Sequence, residues 1–410
     1  MCSINCFKAA PALFFGAIIC LLSFSTPVAG TENQFDHLID NGGFIVKGGK
    51  VNLQYRAEEP FIPASTIKIL TCLAALETLG EDYRFETHFF LDEQQNLYIK
   101  GFGDPFLTSE VIKDIAKKLY KMGVKQLLSI RLDETSYAVN SLADGAGHSK
   151  NPFDAPNSAL AVNFNSVPVF VSDGGVITSG EAQTPDIPIM YEIASGLSAG
   201  THRINVGSLL KKEGISSSLR YTGELISALF SQSGITIENG FYADRTPNQL
   251  RTIYIHSSEK TVRDIVRSCL KYSSNYIANQ LYLACGTVSY GFPASWEKSR
   301  RLLKTYTTEK FDLPESKFNM VEGSGLSRKN LISPAGLVEI VEHFKPYSGL
   351  LNLKGENLLK SGTLSDVFCY AGFIVHHDQF LPFAIMLNQK ENNRDALLNA
   401  LQMKIQEKML

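Results

Sequence analysis

Charge of one sign, cysteine and long apolar runs are all scarce in this chain, and each scarcity closes off a class of protein. The 410 residues carry a formal net charge of −2, with no block rich in Lys or Arg. Phosphate recognition needs concentrated basic side chains, so nucleic acid is not expected as a partner. Past residue 30 only four cysteines remain, Cys72, Cys269, Cys285 and Cys369, at spacings that fit no zinc or redox motif. Most of them sit in apolar segments and read as buried thiols. The eight histidines show no metal-ligand spacing either, and His376-His377 reads as structural. No cofactor and no metal are expected. Internal repeats and low-complexity tracts are absent.

Residues 1–30 read as a secretory signal. Lys8 is the sole charge, Pro11 to Phe24 is an apolar run, and Val28-Ala29-Gly30 offers small residues for cleavage. That run is short for a membrane span, and nothing later approaches the length. An exported protein without stable membrane insertion is expected.

What is present is ordinary globular composition, 44% hydrophobic and 20% charged, enough for two domains or one large one. Alternation around Gly48-Gly49 predicts a hairpin. It leads into Pro63-Ala64-Ser65-Thr66-Ile67-Lys68 and an apolar helix that Gly80 ends. Strands are predicted over 85–91 and 97–100, and a helix follows Thr108 or Ser109. The middle of the chain reads as strands and loops, with strands over 160–171 and 204–210 and a helix near 221–233. The last third is richer in helices: 262–270, 276–284, one starting at Ser333-Pro334, and one over 394–408. Neighbouring strands are expected at 373–375 and 381–387.

Ser65 lies in the first turn of its helix and Lys68 one turn on, hence on the same face. A serine hydroxyl needs a base, and a lysine at the edge of an apolar helix sheds its proton more readily because desolvation disfavours the ammonium. The spacing alone says little, since Ser-x-x-Lys also starts at Ser208, Ser257, Ser268 and Ser295. Two further pieces give it company. Ser273-Ser274-Asn275 falls in a break between helices, where Ser273 can relay a proton and Asn275 can bond a substrate amide. Lys360-Ser361-Gly362-Thr363 opens a strand. There Lys360 offers charge for a substrate carboxylate, Ser361 and Thr363 offer hydroxyls, and Gly362 allows close approach to the backbone. Backbone N–H groups of Ser65 and Thr363 are candidates for an oxyanion hole.

The set Ser-x-x-Lys, Ser-x-Asn and Lys-Ser-Gly, in that order, resembles the motifs of penicillin-binding proteins and class A β-lactamases. Leu79 to Thr87, Gly101-Phe102-Gly103-Asp104-Pro105, Gly323-Ser324-Gly325-Leu326-Ser327-Arg328 and Ala371-Gly372-Phe373 extend the likeness. Over most of the chain after residue 40 it resembles the D-alanyl-D-alanine carboxypeptidase/endopeptidase family of class C penicillin-binding proteins.

The resemblance implies an α+β fold. Its discontinuous transpeptidase-like domain, an antiparallel sheet flanked by helices, would comprise 31–90 and 250–410, with a strand-rich inserted module at 91–249. It implies an acyl-enzyme on Ser65, formed from peptidoglycan stem peptides ending in D-Ala-D-Ala, inhibition by β-lactams, and a place in the periplasm or cell-wall space. Arg328 matches a family arginine near the substrate's side chain. Ser361 stands where the family usually has threonine, and the 145–155 loop lacks the acidic residue expected near Lys150.

Other readings stay open at this stage. A β-lactamase or esterase could use the same fold, as could a non-catalytic wall-binding homologue. Gly196-Leu197-Ser198-Ala199-Gly200 with His202 fits a hydrolase elbow in spacing, but Thr201 to Val206 reads as a strand where a helix should follow, and no Asp…His follow-up is evident.

Overall fold

Two buried faces on one sheet explain why the C-terminal strands read as nearly continuous apolar runs. In a computed structural model, which describes residues 35–147, 149–209, 214–314, 316–377 and 379–409, six antiparallel strands pair in the order Asn352–Lys354, Asn357–Leu364, Val367–His376, Gln379–Leu387, Gly42–Gly48 and Val51–Tyr55. Side chains alternate between faces with period two. Leu381, Phe383, Ile385 and Leu387 join one core with Phe44 and Val46, under Leu397, Leu398, Leu401 and Ile405 of the Arg394–Met409 helix. Ala384 and Met386, with Ile45, Cys369, Ala371 and Phe373, join the other. That second core is roofed by helices Lys68–Thr78, Val262–Tyr272, Asn275–Tyr290, Trp296–Phe311 and Pro334–His343. Gly42 pairs with Leu387, so the two ends of the described chain close one sheet.

A second unit is built from the middle of the sequence. Its five-stranded sheet runs Phe241–Ala243, Ser129–Asp133, Asn96–Gly101, Glu86–Leu91, Thr252–Ser257. Helices Ser109–Lys121 and Ser217–Gln232 share its core with a three-stranded sheet of Ile177–Ser179, Ser166–Val171 and Gly200–Asn205. Ser109–Lys121 buries Ile112, Ile115, Ala116 and Leu119, a helical stripe, against it. Because Glu86–Leu91 and Thr252–Ser257 belong to this sheet, its strands reach past residues 91 and 249 on either side.

Local departures from expectation have physical causes. Residues 160–165 are buried, save half-buried Phe164, but are not a strand: Asn163, Phe164 and Asn165 all take left-handed φ, and the strand begins only at Ser166. The strand expected at 204–210 is Gly200–Asn205, followed by a tight turn at Val206–Ser208. The Trp296–Phe311 helix is largely hydrophilic, burying Trp296, Ser299, Leu302, Leu303 and Thr307, and its pattern gave little sign of it. Ser295 caps it by accepting from Lys298 N at 3.2 Å. All four described cysteines are buried and unpaired by disulfides. The proposed signal segment lies outside the described residues.

Within the first unit, the Ser65 turn and the 323–325 loop approach each other closely. Ala64 has φ +46° and Gly325 has φ +82°, and a Cβ on Gly325 would stand 1.9 Å from the Ala64 carbonyl oxygen. Gly325→Ala should therefore cost about 3 kcal/mol, since a forced left-handed backbone is joined by a steric clash. Gly355→Ala, with φ +59° and nothing within 4 Å of the added methyl, should cost about 1 kcal/mol. Denaturant unfolding of the two variants measures the gap between them.

Candidate active site

Three segments distant in sequence converge on the start of the Lys68–Thr78 helix. A short turn at Ala64–Ile67 precedes that helix, and strained Ala64 presents Ser65 half-buried on its open side. The close approach of strand Asn357–Leu364 is possible because Gly362 has no side chain: a Cβ there would lie 2.8 Å from Pro63 O and 2.9 Å from Ser65 N. Among the described residues, Ser65 N–H makes none of the turn's hydrogen bonds. On the outer side, Asn352–Lys354 pairs only as far as Leu359, leaving 360–364 as the sheet's edge beside Ser65.

Lys68 is fully buried. Its Nζ donates to Ser65 Oγ at 2.8 Å, to Asn275 Oδ1 at 2.8 Å and to the Ser324 carbonyl at 2.6 Å. An ammonium has three protons to give and finds three acceptors. A neutral amine has two, and with Asn275 and Ser324 taking them its lone pair faces the remaining partner, Ser65 Oγ. Burial pushes the Lys68 pKa down to about 8, against smaller opposing pulls that include the Glu322 carboxylate.

Ser273, at φ +53°, ends the preceding helix, and Ser274 caps the next by accepting from Ile277 N. Lys360 is 1% exposed; it donates to Ser273 Oγ at 2.8 Å and to the Ser361 carbonyl at 2.6 Å. Burial, then the charge of Lys68, lowers its pKa to about 7. The lysine that the sequence offers as a carboxylate anchor is thus turned inward toward Ser273. Asn275 is engaged at both ends, since its Nδ2 donates to Phe153 O at 3.2 Å from the middle unit. A largely apolar cavity of about 580 Å³ adjoins it, walled by Phe106, Phe153, Phe164 and Tyr272.

Ser361 is half-buried, while Thr363 and Arg328 are exposed. Arg328 Nη2 donates to the Ser365 carbonyl at 2.5 Å, two residues beyond Thr363 in the turn that follows the strand. The 145–155 loop does hold a carboxylate, Asp154, but it is buried and accepts from Gly147 N and Ser149 Oγ. Ser198 lies in irregular chain before the Gly200–Asn205 strand, with no helix after it, and His202 Nε2 contacts the Ser198 backbone carbonyl at 2.8 Å, so that pair forms no hydrolase elbow. Among the described residues no group of His, Cys, Asp and Glu is placed to hold a metal ion.

Two participants escaped the sequence reading. Glu322, fully buried, accepts from Ser324 N and Oγ, Gly325 N, Ser327 N and Asn330 Nδ2. It thereby fixes the loop whose Ser324 carbonyl holds Lys68. The other is Arg394, whose Nη1 donates to Gly362 O at 2.9 Å and Thr363 Oγ1 at 2.8 Å. No local pattern marks either residue.

The sheet, its flanking helices and the middle module define a penicillin-binding/β-lactamase-like fold with an inserted domain. The model of the D-Ala-D-Ala carboxypeptidase 3 (S13) family matches residues 34–205 and 212–353, and the chain belongs to that family. It is 24% identical over 383 residues to the D-alanyl-D-alanine carboxypeptidase DacB of Haemophilus influenzae, covering 82% of this chain and 79% of that one. The crystal structure of penicillin binding protein 4 (dacB) from the same organism aligns with a TM-score of 0.73 at 20% identity, over 87% of this chain and 93% of that one. That protein complexed with a β-lactam aligns with a TM-score of 0.67, again at 20% identity over 87% and 93%.

Burial of Lys68 has a stability signature. Its folded pKa, about 8, lies below the 10.5 of the free side chain, so between those values the unfolded chain binds more protons and stability rises with pH. Below about pH 8 both states hold the proton and this contribution is flat. Lys68→Met removes it. The stability of the wild type relative to Lys68→Met should therefore rise from pH 8 to pH 10, as measured by denaturant unfolding of both proteins side by side.

Proposed function

We propose that Ser65 is the nucleophile of a serine-type D-Ala-D-Ala carboxypeptidase, with Lys68 as its base. The observation that carries this reading is the fully buried Lys68 amine held 2.8 Å from Ser65 Oγ by its bonds to Asn275 and Ser324. Membership of the S13 family supplies the reaction class.

Ser65 Oγ attacks the carbonyl between the two D-alanines while Lys68 Nζ takes its proton. Developing oxyanion charge is met by the N–H groups of Ser65 and Thr363. The leaving amine takes a proton from Ser273 Oγ, which is resupplied by Lys360 across their 2.8 Å hydrogen bond. Water then attacks the acyl-Ser65 ester and gives its proton through Ser273 to the now neutral Lys360, while Lys68 returns its proton to Ser65 Oγ as the ester bond breaks and the shortened peptide departs. Asn275, Ser361 and Arg328 line the approach and serve as substrate contacts in this reading. A β-lactam would acylate the same serine, its ring nitrogen standing for the leaving amine.

The physiological substrate in this proposal is a peptidoglycan stem peptide ending in D-Ala-D-Ala, and endopeptidase cleavage of cross-links is compatible with the same chemistry. Residues 1–30 would export the chain to the periplasm or cell-wall space. The pattern of Lys8, apolar run and small residues supports this, and no described helix is long and apolar enough to cross a membrane. The unit on the six-stranded sheet would be the catalytic domain, and the middle unit an accessory module that reaches the site through Phe153.

Intact mass after incubation with benzylpenicillin should show one adduct on the protein and none on Ser65→Ala. No adduct with the drug intact would sink the assignment, and no adduct with the drug hydrolysed would indicate a β-lactamase. The acylation rate constant should rise with pH as Lys68 loses its proton, peak between about pH 7 and 8, and fall as Lys360 loses the proton it supplies to the leaving nitrogen. Quench-flow acylation from pH 6 to 9.5 checks this, and a level profile would argue against Lys68 as the base.

A further inference from the structure

Two buried thiols that the reaction does not use lie close behind its two lysines. Cys72 is four residues after Lys68 on the Lys68–Thr78 helix, hence on the same face one turn away. Cys269 is four residues before Ser273, on the Val262–Tyr272 helix that Ser273 ends. Both are fully buried, in the core between the six-stranded sheet and its helices. Their side chains meet there. The Cys72 thiol donates a hydrogen bond to Cys269 Sγ, and Cys269 Sγ donates onward to the Ser274 carbonyl at 3.9 Å. The helix of the nucleophile and base is thus joined to the helix break of the proton relay through two sulfurs.

The surroundings are those of a reactive dithiol. Accepting from Cys72 holds the Cys269 thiol below its ordinary range against the effect of burial, and the charges of Lys68 and Lys360 add to this. A thiolate near cations is the attacking group in thiol–disulfide exchange, and an adjacent thiol resolves the mixed disulfide. Cys72, pushed up by burial, keeps its proton longer and suits the second role. The other two thiols are placed differently. Cys369 donates to the Ile62 carbonyl at 3.5 Å, and burial pushes both it and Cys285 up to about 12. A way in exists beside Cys269: Ser268, Tyr272, Ser273 and Ser274 line the cavity of about 580 Å³, so the sulfur stands one residue behind its wall. Opening of that last helical turn exposes it.

We propose that Cys72 and Cys269 form a reversible disulfide, with a low-molecular-weight disulfide as oxidant, and that this link slows acylation of Ser65. The Cys269 sulfur displaces one thiol from the oxidant and forms a mixed disulfide, and the Cys72 sulfur displaces the second. The pair gives up two electrons and two protons, and the oxidant leaves as two thiols. A disulfide bond is about 2.05 Å long, much shorter than a hydrogen-bonded contact between sulfurs, so closing it draws the two helices together. Lys68 and Ser273, each one turn from a linked sulfur, then shift relative to one another. The slowing rests on the acyl-transfer reading of Ser65 above; the link itself does not.

The test incubates the reduced full protein with oxidised glutathione, digests it without reduction and maps the peptides by mass. Benzylpenicillin acylation is timed on the same samples. Expected are a peptide cross-linked between Cys72 and Cys269, acylation about tenfold slower, within the penalty that a misplacement of about 1 Å can bring, and recovery in dithiothreitol. Cys285→Ala and Cys369→Ala should respond as the wild type does, and Cys269→Ala should show a rate that the oxidant leaves unchanged. No cross-link, a cross-link between other cysteines, or the expected cross-link with an unaltered rate would each overturn the proposal. Reduced protein that takes up no benzylpenicillin would overturn the Ser65 reading and the slowing with it, while the mass map still decides the link. That map needs no variant, so an alanine variant that fails to fold leaves the decision with the wild type.

Discussion

A fully buried lysine amine with three acceptors around it is the constraint on which the rest of the structure depends. Lys68 draws Ser65 from its own turn, Asn275 from the helix break and the Ser324 carbonyl from the 323–325 loop. These pieces lie on separate elements, and only the finished core holds them together. Taking an ammonium out of water is costly unless its donors are met. The arrangement meets them, and it also leaves the neutral form well placed, because two acceptors suffice to orient it. Glu322 extends the logic one shell outward, since its carboxylate gathers the N–H groups of the loop that carries Ser324.

Close backbone approach is the second requirement, and it is met by removing side chains at two points. Gly362 lets the sheet edge touch the Ser65 turn, and Gly325 lets the opposite loop touch Ala64. Between them Ala64 is held at φ +46°, a strained conformation that persists only where surroundings over-determine it. Here they do. Helix packing on one side and a sheet strand on the other fix the serine from both directions.

What was legible in the sequence was local. Ser65 and Lys68 share a turn, Ser273 and Asn275 share a break, and Lys360 to Thr363 share one strand, so each group could be seen within a few residues. Period-two and period-3.6 patterns gave the main strands and most helices for the same reason. The failures were non-local or weakly patterned. An apolar run at 160–162 looks like strand, but three left-handed residues after it bend the chain away. The Trp296–Phe311 helix buries too few large side chains to mark a face. Glu322 and Arg394 acquire meaning only from partners that folding brings to them. The direction of Lys360 could not be read either, because a lysine at a strand start gives no sign of whether it faces water or Ser273.

The inward turn of Lys360 changes how the proton economy of the site must work. Two lysines buried in one space repel each other's charge, as the effect of Lys68 on Lys360 indicates. Near neutral pH the pair is therefore poised to hold fewer than two protons. In the proposed reaction the proton taken from Ser65 lands on Lys68, and one must be given to the leaving amine on the Ser273 side. Charge arriving at Lys68 raises the cost of charge at Lys360, and so favours delivery through Ser273 at the moment the amine needs it. The same repulsion makes Lys360 a poor fixed counter-ion, because its charge must fall as the reaction proceeds.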